Sequence, residues 1–178
     1  MQTPVDTRWM IRRDLPEVLD IEAQCFECPW MEEDFLCCLR QRNCTGIVAL
    51  LQDRVTGFMM YEFIKHQIHV LNFAVAPWAR RQGIGKQMVS KLIYKLSPQR
   101  RHEIILEVRE SNLPAQLFFR SQHLAARAVL HGYYEDTDED AYQMSYELPG
   151  YQEMLVAHQP KNRISDFWDI LHRQQGVA

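Results

Sequence analysis

The central run of this chain reads Leu71-Asn72-Phe73-Ala74-Val75-Ala76-Pro77, and shortly after it comes Arg80-Arg81-Gln82-Gly83-Ile84-Gly85. The first run is apolar enough for a buried strand, and the residues after Gly85 have helical spacing. Gly83 and Gly85 let the backbone turn sharply and approach a ligand closely. The free amides that begin the helix then meet the positive end of its dipole, and Arg80, Arg81 and Lys86 add charge nearby. This order of strand, glycine loop and helix predicts a site for an anion such as a pyrophosphate.

The glycine spacing distinguishes this loop from two common phosphate-binding loops. Lys86, Gln87 and Met88 follow Gly85, so the run fits neither G-x-G-x-x-G nor G-x-x-x-x-G-K-S/T. On the glycine pair alone, an ordinary tight turn explains the loop as well as an anion site does.

Length and composition indicate a globular protein with a core of normal size. The chain has 178 residues, of which 47% are hydrophobic, and this suits one main domain. A formal net charge of −3 gives no electrostatic footprint for nucleic acid. The polar first residues lack the apolar segment of a signal peptide, and no apolar run is long enough to cross a bilayer. We therefore expect a cytoplasmic protein that binds neither nucleic acid nor membrane.

The cysteines all stand early in the chain, at Cys25, Cys28, Cys37, Cys38 and Cys44. The first two have the spacing of a zinc or redox motif. A structural zinc site usually needs a second spaced pair or histidines, and the adjacent pair would chelate poorly on a helix. The alternative is a set of reduced, mostly buried cysteines, so we expect no bound metal.

Periodicity and turn residues predict a mixed α/β (α+β) chain in the order β-α-α-β-β-β-α-β-α-β-β. The strands are expected at 8–12, 46–51, 57–65, 68–76, 103–108, 128–134 and 142–148. The helices are expected at 14–26, 31–41, from the glycine loop to about 96, and at 114–122.

The chain is expected to divide into a domain at 1–149 and a C-terminal tail at 150–178. In the tail, Ile164, Phe167, Trp168 and Leu171 recur at helical spacing, which predicts an amphipathic helix. This helix either packs on its own domain or forms a homodimer or partner contact through residues 164–171.

Glu107 is the carboxylate with the strongest claim to chemistry, because apolar residues flank it on a predicted buried strand. A buried carboxylate is costly unless it has a partner or a function. One interpretation is a rim residue paired with Arg109. The other is a general base that takes a proton from an amine, with a pKa that burial raises toward the working pH.

The element order and four motifs together resemble the GNAT superfamily of N-acetyltransferases, and within it the RimI-type subfamily. The motifs are Phe26-Glu27-Cys28-Pro29-Trp30, Asn72 to Pro77, Arg81 to Gly85, and Leu106-Glu107-Val108-Arg109-Glu110-Ser111-Asn112. The resemblance extends from about Arg8 to Pro149. It implies a mixed, mostly antiparallel central sheet, flanked by helices and splayed around the strand that binds the coenzyme. It also implies transfer from acetyl-CoA to the N-terminal alanine of a ribosomal protein.

The resemblance assigns roles to individual residues. Glu107 matches the catalytic base. The strand that binds the pantetheine arm and steadies the thioester oxygen through its backbone matches Phe73, Ala74 and Val75. The pyrophosphate loop matches Arg81, Gln82, Gly83, Ile84, Gly85 and Lys86, with Arg80 as a neighbouring charge. Asn112 matches a side chain that contacts coenzyme A, although it also suits a helix N-cap.

The acceptor, a peptide or protein N-terminus, is expected between two aromatic segments. Pro29 and Trp30 match one side of the groove, and Tyr133 and Tyr134 match the other. Core or rim packing is the alternative for these aromatic residues. The acidic run at 135–140 either attracts a basic acceptor or is a solvated hairpin loop.

One position departs from the resemblance. The family has a tyrosine general acid in the pattern L-Y-x-x-x-G-F, and here Phe119 takes the place of the tyrosine, with His123 and Leu124 in place of Gly-Phe. Phenylalanine cannot donate a proton.

The sequence therefore favours an acetyl-CoA-dependent N-acetyltransferase that acts on a protein N-terminal amine by direct transfer. One alternative keeps the chemistry but uses a small-molecule amine or a lysine as the acceptor. A second is a non-catalytic acyl-CoA-binding or interaction module, which Phe119 and the tail favour.

Overall fold

The structure is a computed structural model that describes residues 4–151. Within this part, the residues up to Leu148 belong to one compact unit. The boundary expected at 149 falls almost at the end of the described residues, and the helix expected at 164–171 lies outside them. Both stay predictions.

The described residues form a seven-stranded mixed sheet in the order β1-β2-β3-β4-β5-β7-β6. Every neighbouring pair is antiparallel except β4 and β5, which are parallel. This confirms the expected mixed, mostly antiparallel sheet. The strands are β1 Asp6–Trp9, β2 Cys44–Leu51, β3 Arg54–Ile64, β4 Gln67–Val75, β5 Glu103–Arg109, β6 Ala125–Tyr134 and β7 Glu139–Glu147.

Four α-helices connect the strands in the predicted order, with ends that differ from the expected ones by a few residues. They are α1 Leu15–Cys25, α2 Glu32–Arg40, α3 Ile84–Ile93 and α4 Leu113–Ser121. Proline stands in the first turn of α1 and of α4, where its missing N–H costs no helix hydrogen bond. None of the helices formed by residues 4–151 is long and apolar enough to cross a membrane.

The core lies around β3, where every residue from Val55 to Tyr61 is buried. Burial without alternation means that both faces of this strand are covered. On α2, Phe35 packs edge-on against Phe58 of β3, with ring centroids 5.5 Å apart, and both rings are fully buried. Burying such a side chain contributes about 1.5–3 kcal/mol. At the far end of the sheet β6 is exposed along most of its length.

The parallel pairing of β4 with β5 ends at Val70 and Leu106. β4 nevertheless continues to Val75, so residues 71–75 diverge from β5 and leave a gap within the sheet. On its other side this stretch stays paired with β3. The expected splay of the sheet at this strand is confirmed.

The cysteines are all free in the structure. The expectation that they are mostly buried is wrong, since Cys28 and Cys37 are exposed and the other three are only half-buried. Cys28 lies in the segment after α1, and Cys37 lies within α2. Among the described residues no three His, Cys, Asp or Glu side chains lie close enough together to hold a metal ion.

Candidate active site

A cavity of about 190 Å³ opens where β4 and β5 diverge. β4 contributes residues 70–73 to its wall and β5 contributes 106–109. The first two turns of α4, the end of α1 with the segment after it, and the end of β6 close the remaining sides. Their lining residues are Asn112, Ala115 and Phe119, then Glu22, Phe26, Cys28 and Trp30, and Tyr134. The splay thus brings the runs around Trp30, Phe73, Glu107, Phe119 and Tyr134 to one cavity, whereas the glycine loop is not among the residues that line it.

The glycine loop lies at the start of α3. Gly83 precedes the helix with φ = 82°, in the left-handed region that favours glycine. At Gly85, in the first turn of α3, a Cβ would lie 3.0 Å from Cζ of Phe118, so that ring would have to shift to admit it. The amide of Gln87 donates to the Gly83 carbonyl at 3.1 Å, the first hydrogen bond of α3. The amides of residues 84–86 therefore have no partner within the helix. This arrangement fits an anion such as the pyrophosphate of acetyl-CoA.

Charged and polar side chains of the loop differ in what they do. Arg81 and Lys86 are exposed, as a role toward an anion requires. Arg80 instead braces the end of β4, since its Nε donates to the Val75 carbonyl at 3.1 Å and its Nη2 lies 3.2 Å from the sulfur of Cys25. Gln82 donates to the Trp78 carbonyl at 3.4 Å.

Beyond Val70, the backbone of β4 on its open side has groups left over for a ligand. An extended pantetheine arm has amide groups that suit such an edge, as an added strand would. Phe73, Ala74 and Val75 lie on this stretch, and Phe73 also lines the cavity. The residues present therefore fit acetyl-CoA.

The carboxylate of Glu107 lies in the cavity wall with 8% of its side chain exposed. Oε2 lies 2.7 Å from Nε2 of His69, and Oε1 accepts from Nε2 of Gln143 at 3.1 Å. Burial alone would raise the pKa of Glu107, but the hydrogen bonds from His69 and Gln143 outweigh it and hold the pKa below its usual value. The expectation of a raised pKa is wrong, because the sequence did not show these two partners.

Arg109 is not the partner of Glu107. Its guanidinium lies on Asp136 at 2.6 Å and on Glu139 at 3.2 Å, and it stacks 3.9 Å from the ring centre of Tyr134. The interpretation of Glu107 as a rim residue paired with Arg109 is therefore wrong.

The same contacts bear on the acidic run at 135–140. Arg109 holds Asp136 and Glu139, and Asp140 accepts from His131 at 2.7 Å and from the amide of Gly132 at 2.8 Å. Three carboxylates of the run are thus paired with groups of the protein itself, and these contacts stabilise the β6–β7 hairpin.

Two functional-looking residues were missed at the sequence level. Glu22, 1% exposed, accepts from the amide of Trp30 at 2.8 Å and from Nδ2 of Asn72 at 3.0 Å, so it ties the segment after α1 to β4. Its burial raises its pKa. His69 stands between Glu107 and Glu62, and only the pairing of strands brings these three together. The alternation of polar residues along β4 was the available signal for His69.

The aromatic residues expected at the acceptor groove have different positions. Trp30 lines the cavity and packs edge-on against Phe35 at 5.3 Å, and Pro29 before it is half-buried. Tyr134 lines the cavity, and its hydroxyl donates to the Glu107 carbonyl at 3.4 Å. Tyr133 is 46% exposed beside it, with ring centroids 5.1 Å apart.

Phe119 lies in the cavity wall, 7% exposed, among the rings of Phe73 and Phe118. His123 is exposed and adopts φ = 67° just after α4. It therefore fills the left-handed position that a glycine would hold after a helix, away from the cavity lining. Asn112 caps α4, with Oδ1 accepting from the amide of Ala115 at 3.1 Å, and it also lines the cavity.

Comparison with known proteins places these features in context. Residues 15–124 match the model of the acetyltransferase (GNAT) family. The chain is 30% identical over 130 residues to the ribosomal protein bS18-alanine N-acetyltransferase of Escherichia coli strain K12, covering 72% of this chain and 87% of that protein.

Solved structures show the same fold. The crystal structure of the ribosomal-protein-S18-alanine N-acetyltransferase from Escherichia coli superimposes with a TM-score of 0.73 at 25% identity, covering 82% of this chain and 94% of the other. Arabidopsis thaliana NAA60 in complex with acetyl-CoA gives a TM-score of 0.72 at 17% identity, with 82% and 100% covered, which concerns the fold alone.

Proposed function

Because this chain belongs to the GNAT family of acetyltransferases, we propose that it transfers the acetyl group of acetyl-CoA to the α-amine of a protein N-terminus. The observation that carries this proposal is the Glu107 carboxylate, held ionised by His69 and Gln143 inside the cavity between β4 and β5.

The proposed reaction uses residues of this chain in three roles. The amides at residues 84–86, with Arg81 and Lys86 beside them, bind the pyrophosphate, and Gly83 sets the turn. The open edge of β4 at residues 73–75 orients the arm, and a backbone N–H there steadies the thioester oxygen as charge develops on it. Acetyl-CoA supplies an acetyl group on a thioester. The amine would form the new amide bond as the thioester C–S bond breaks and coenzyme A leaves as a thiolate, which takes up a proton. Glu107 takes the proton that the amine releases, and Trp30 and Tyr134 border the acceptor.

The low pKa of Glu107 favours an α-amine over a lysine as the acceptor. A carboxylate with a low pKa is ionised across the working range but is a weak base. It suits an amine that is already partly neutral, and the α-amine has a pKa of about 7.7–8.0 against about 10.4 for lysine. The relative in Escherichia coli, by its name, acts on an N-terminal alanine, and this supports alanine as the preferred first residue here. The cytoplasmic location stays a prediction.

A second function is favoured by Phe119, which places a ring without a hydroxyl in the cavity wall. A domain without an acid for the leaving thiolate suits a non-catalytic acyl-CoA-binding module.

The test is an acetyl-transfer assay with three peptides of one sequence that differ at their ends. The first starts with a free alanine, the second has that α-amine blocked, and the third is blocked but carries an added lysine. We expect turnover of the first peptide alone. Turnover of the third would replace the α-amine by a lysine as acceptor, and binding of acetyl-CoA without any turnover would support the non-catalytic module.

Glu107→Gln is the matching variant, and we expect turnover of the alanine peptide to fall by about 10²–10⁴-fold with coenzyme affinity unchanged. Glu103→Gln is its control, because Glu103 lies on the same strand and bonds Gln67 at 2.7 Å, outside the cavity lining. Equal turnover of the alanine peptide by both variants would show that Glu107 is not the general base.

A further inference from the structure

Four polar side chains lie side by side across the sheet, one on each of β3, β4, β5 and β7: Glu62, His69, Glu107 and Gln143. We call them the polar row. Glu62 and His69 are directly opposite each other in the β3–β4 register, and Glu107 and Gln143 are opposite in the β5–β7 register. His69 pairs with Ile105, two residues before Glu107, and side chains two apart share one face of a strand.

The contacts of His69 join two carboxylates through one ring. Nε2 lies 2.7 Å from Oε2 of Glu107, and Nδ1 lies 3.4 Å from Oε1 of Glu62. A neutral imidazole carries one N–H, so one of its nitrogens would turn a lone pair toward a carboxylate. The doubly protonated ring offers a donor to both. The His69 side chain is 18% exposed, so its charge is only partly screened by water.

We propose that His69 is a positioning residue for Glu107, held as an imidazolium between Glu107 and Glu62, and that its charge keeps the Glu107 carboxylate ionised and oriented for the acceptor amine. This inference rests on the proposed role of Glu107 as the base. Gln143 holds Oε1 and His69 holds Oε2, so the carboxylate is fixed by donors on both oxygens. Without the imidazolium, a carboxylate with 8% exposure would favour its protonated form and lose its capacity to accept a proton.

The pKa shifts of the pair agree with this geometry. The hydrogen bond to Glu107 raises the pKa of His69, against the effect of burial, and Glu62 raises it further. A His whose pKa is raised on folding stays charged until the pH passes that higher value. Glu107 correspondingly has a lowered pKa, so it stays ionised down to more acidic pH.

The tyrosines and thiols around the polar row carry no positive charge at neutral pH. Tyr133 and Tyr134 lie near Glu107, and burial raises the pKa of both, for Tyr134 to about 12. Near Glu62 are Cys38 and Cys44, and burial raises the pKa of both thiols as well, for Cys44 to about 12. Asn43 donates an amide to Glu62 at 3.2 Å.

On β5 itself, the cation nearest in sequence is Arg109, which is occupied by Asp136 and Glu139. His69 is therefore the cation that the described contacts give to Glu107.

The first test is a proton NMR titration of the histidine rings in the full-length protein, which needs no activity. We expect the His69 ring to titrate above the ordinary value near 6.5. Glu62→Gln and Glu107→Gln should each lower that midpoint, while His66→Gln should leave it unchanged. His66 is exposed on the turn before β4 and contacts the Arg100 carbonyl at 3.3 Å, outside the polar row. A His69 ring that titrates at or below about 6.5 would overturn the inference.

The second test is the pH dependence of kcat/KM for the alanine peptide in the wild type, His69→Gln and Glu62→Gln. In the wild type we expect the rise from pH 6 to pH 8 to follow the amine alone. Because His69→Gln should let the pKa of Glu107 rise, kcat/KM at pH 6 relative to pH 8 should fall below the ratio of the wild type. Glu62→Gln keeps the imidazole of His69, so it should lower kcat/KM at pH 6 relative to pH 8 by less than His69→Gln does.

The outcomes separate this inference from the proposed function. No transfer by the wild type contradicts the proposed function, whereas the titration still reports on His69. If the wild type is active and Glu107→Gln is not, but His69→Gln only scales the rate equally at all pH values, then His69 is merely structural and the inference fails.

Discussion

Exchanging Gly83 for alanine should separate the role of backbone conformation from that of space in the glycine loop. Gly83 has φ = 82°, and a residue with a Cβ in this left-handed region costs about 1–2 kcal/mol. If the loop keeps its shape, the whole cost lowers the free energy of unfolding. If the loop relaxes when no ligand is bound, the cost instead appears in coenzyme affinity, as about a 5- to 30-fold rise in Kd. The two losses together should amount to about 1–2 kcal/mol.

Gly85→Ala is the matched control. Gly85 lies within helix α3, and its Cβ would approach Cζ of Phe118 to 3.0 Å. That atom is the far end of a side chain, so the ring can retreat at a cost of about 1 kcal/mol. The gain in helix propensity, about 0.8–1 kcal/mol for alanine over glycine, offsets it. We expect stability and Kd to stay close to those of the wild type.

The measurements are urea unfolding and calorimetric titration with coenzyme A. A Gly83→Ala protein with unchanged stability and unchanged Kd would refute the reasoning that the loop needs a left-handed residue. If Gly85→Ala weakens binding as much as Gly83→Ala, then the space beside Phe118 is decisive and the conformation is not.

Three further changes address other parts of the molecule. Phe119→Tyr adds a hydroxyl in the cavity wall and should raise turnover by up to about 10²-fold if proton donation to the thiolate is missing; an unchanged rate would mean that water or another group already supplies the proton. Arg109→Gln should free the β6–β7 hairpin and raise KM for the peptide without changing the Kd for coenzyme A, and an unchanged KM would separate the hairpin from acceptor binding. Arg8 lies 2.6 Å from Asp14 and lowers the pKa of that carboxyl in the folded protein. The stability that this pair contributes is therefore fully present above the unfolded pKa of Asp14, about 3.9, and is lost as the pH falls through its folded pKa. Asp14→Asn should therefore lower the urea midpoint at pH 7 and reduce its decline in acid, and identical curves would contradict the linkage.

The order of strand, loop and helix at the centre of the chain could be predicted because these elements are consecutive in sequence. The run from Leu71 to Gly85 holds a strand, a turn and a helix whose hydrophobic spacing is local, and Glu107 stands out as a carboxylate between apolar neighbours. Phe119, which the resemblance sets at the place of a tyrosine acid, lies in the cavity wall.

What could not be predicted depends on contacts between distant strands. His69 and Glu107 are separated by 38 positions, and Gln143 by 36 more from Glu107, so only the register of β4, β5 and β7 makes them neighbours. The direction of the Glu107 pKa was wrong for the same reason, since burial is readable from the sequence but its compensating donors are not. Nor does the sequence show that Arg109 holds two members of the acidic run.

The gap between β4 and β5 also makes the stability of the folded protein depend on the concentration of its ligand. Residues 71–75 belong to an interior strand of the sheet, but on the side facing β5 they have no neighbouring strand. Under the proposed function, acetyl-CoA binds on that side. A ligand bound there protects the folded state alone, and each tenfold excess over Kd adds about 1.4 kcal/mol to the free energy of unfolding. Under the proposed function, amide hydrogens in this stretch should exchange slowly in cells rich in acetyl-CoA and quickly in starved ones. The lifetime of the folded protein would then follow the supply of its own acetyl donor.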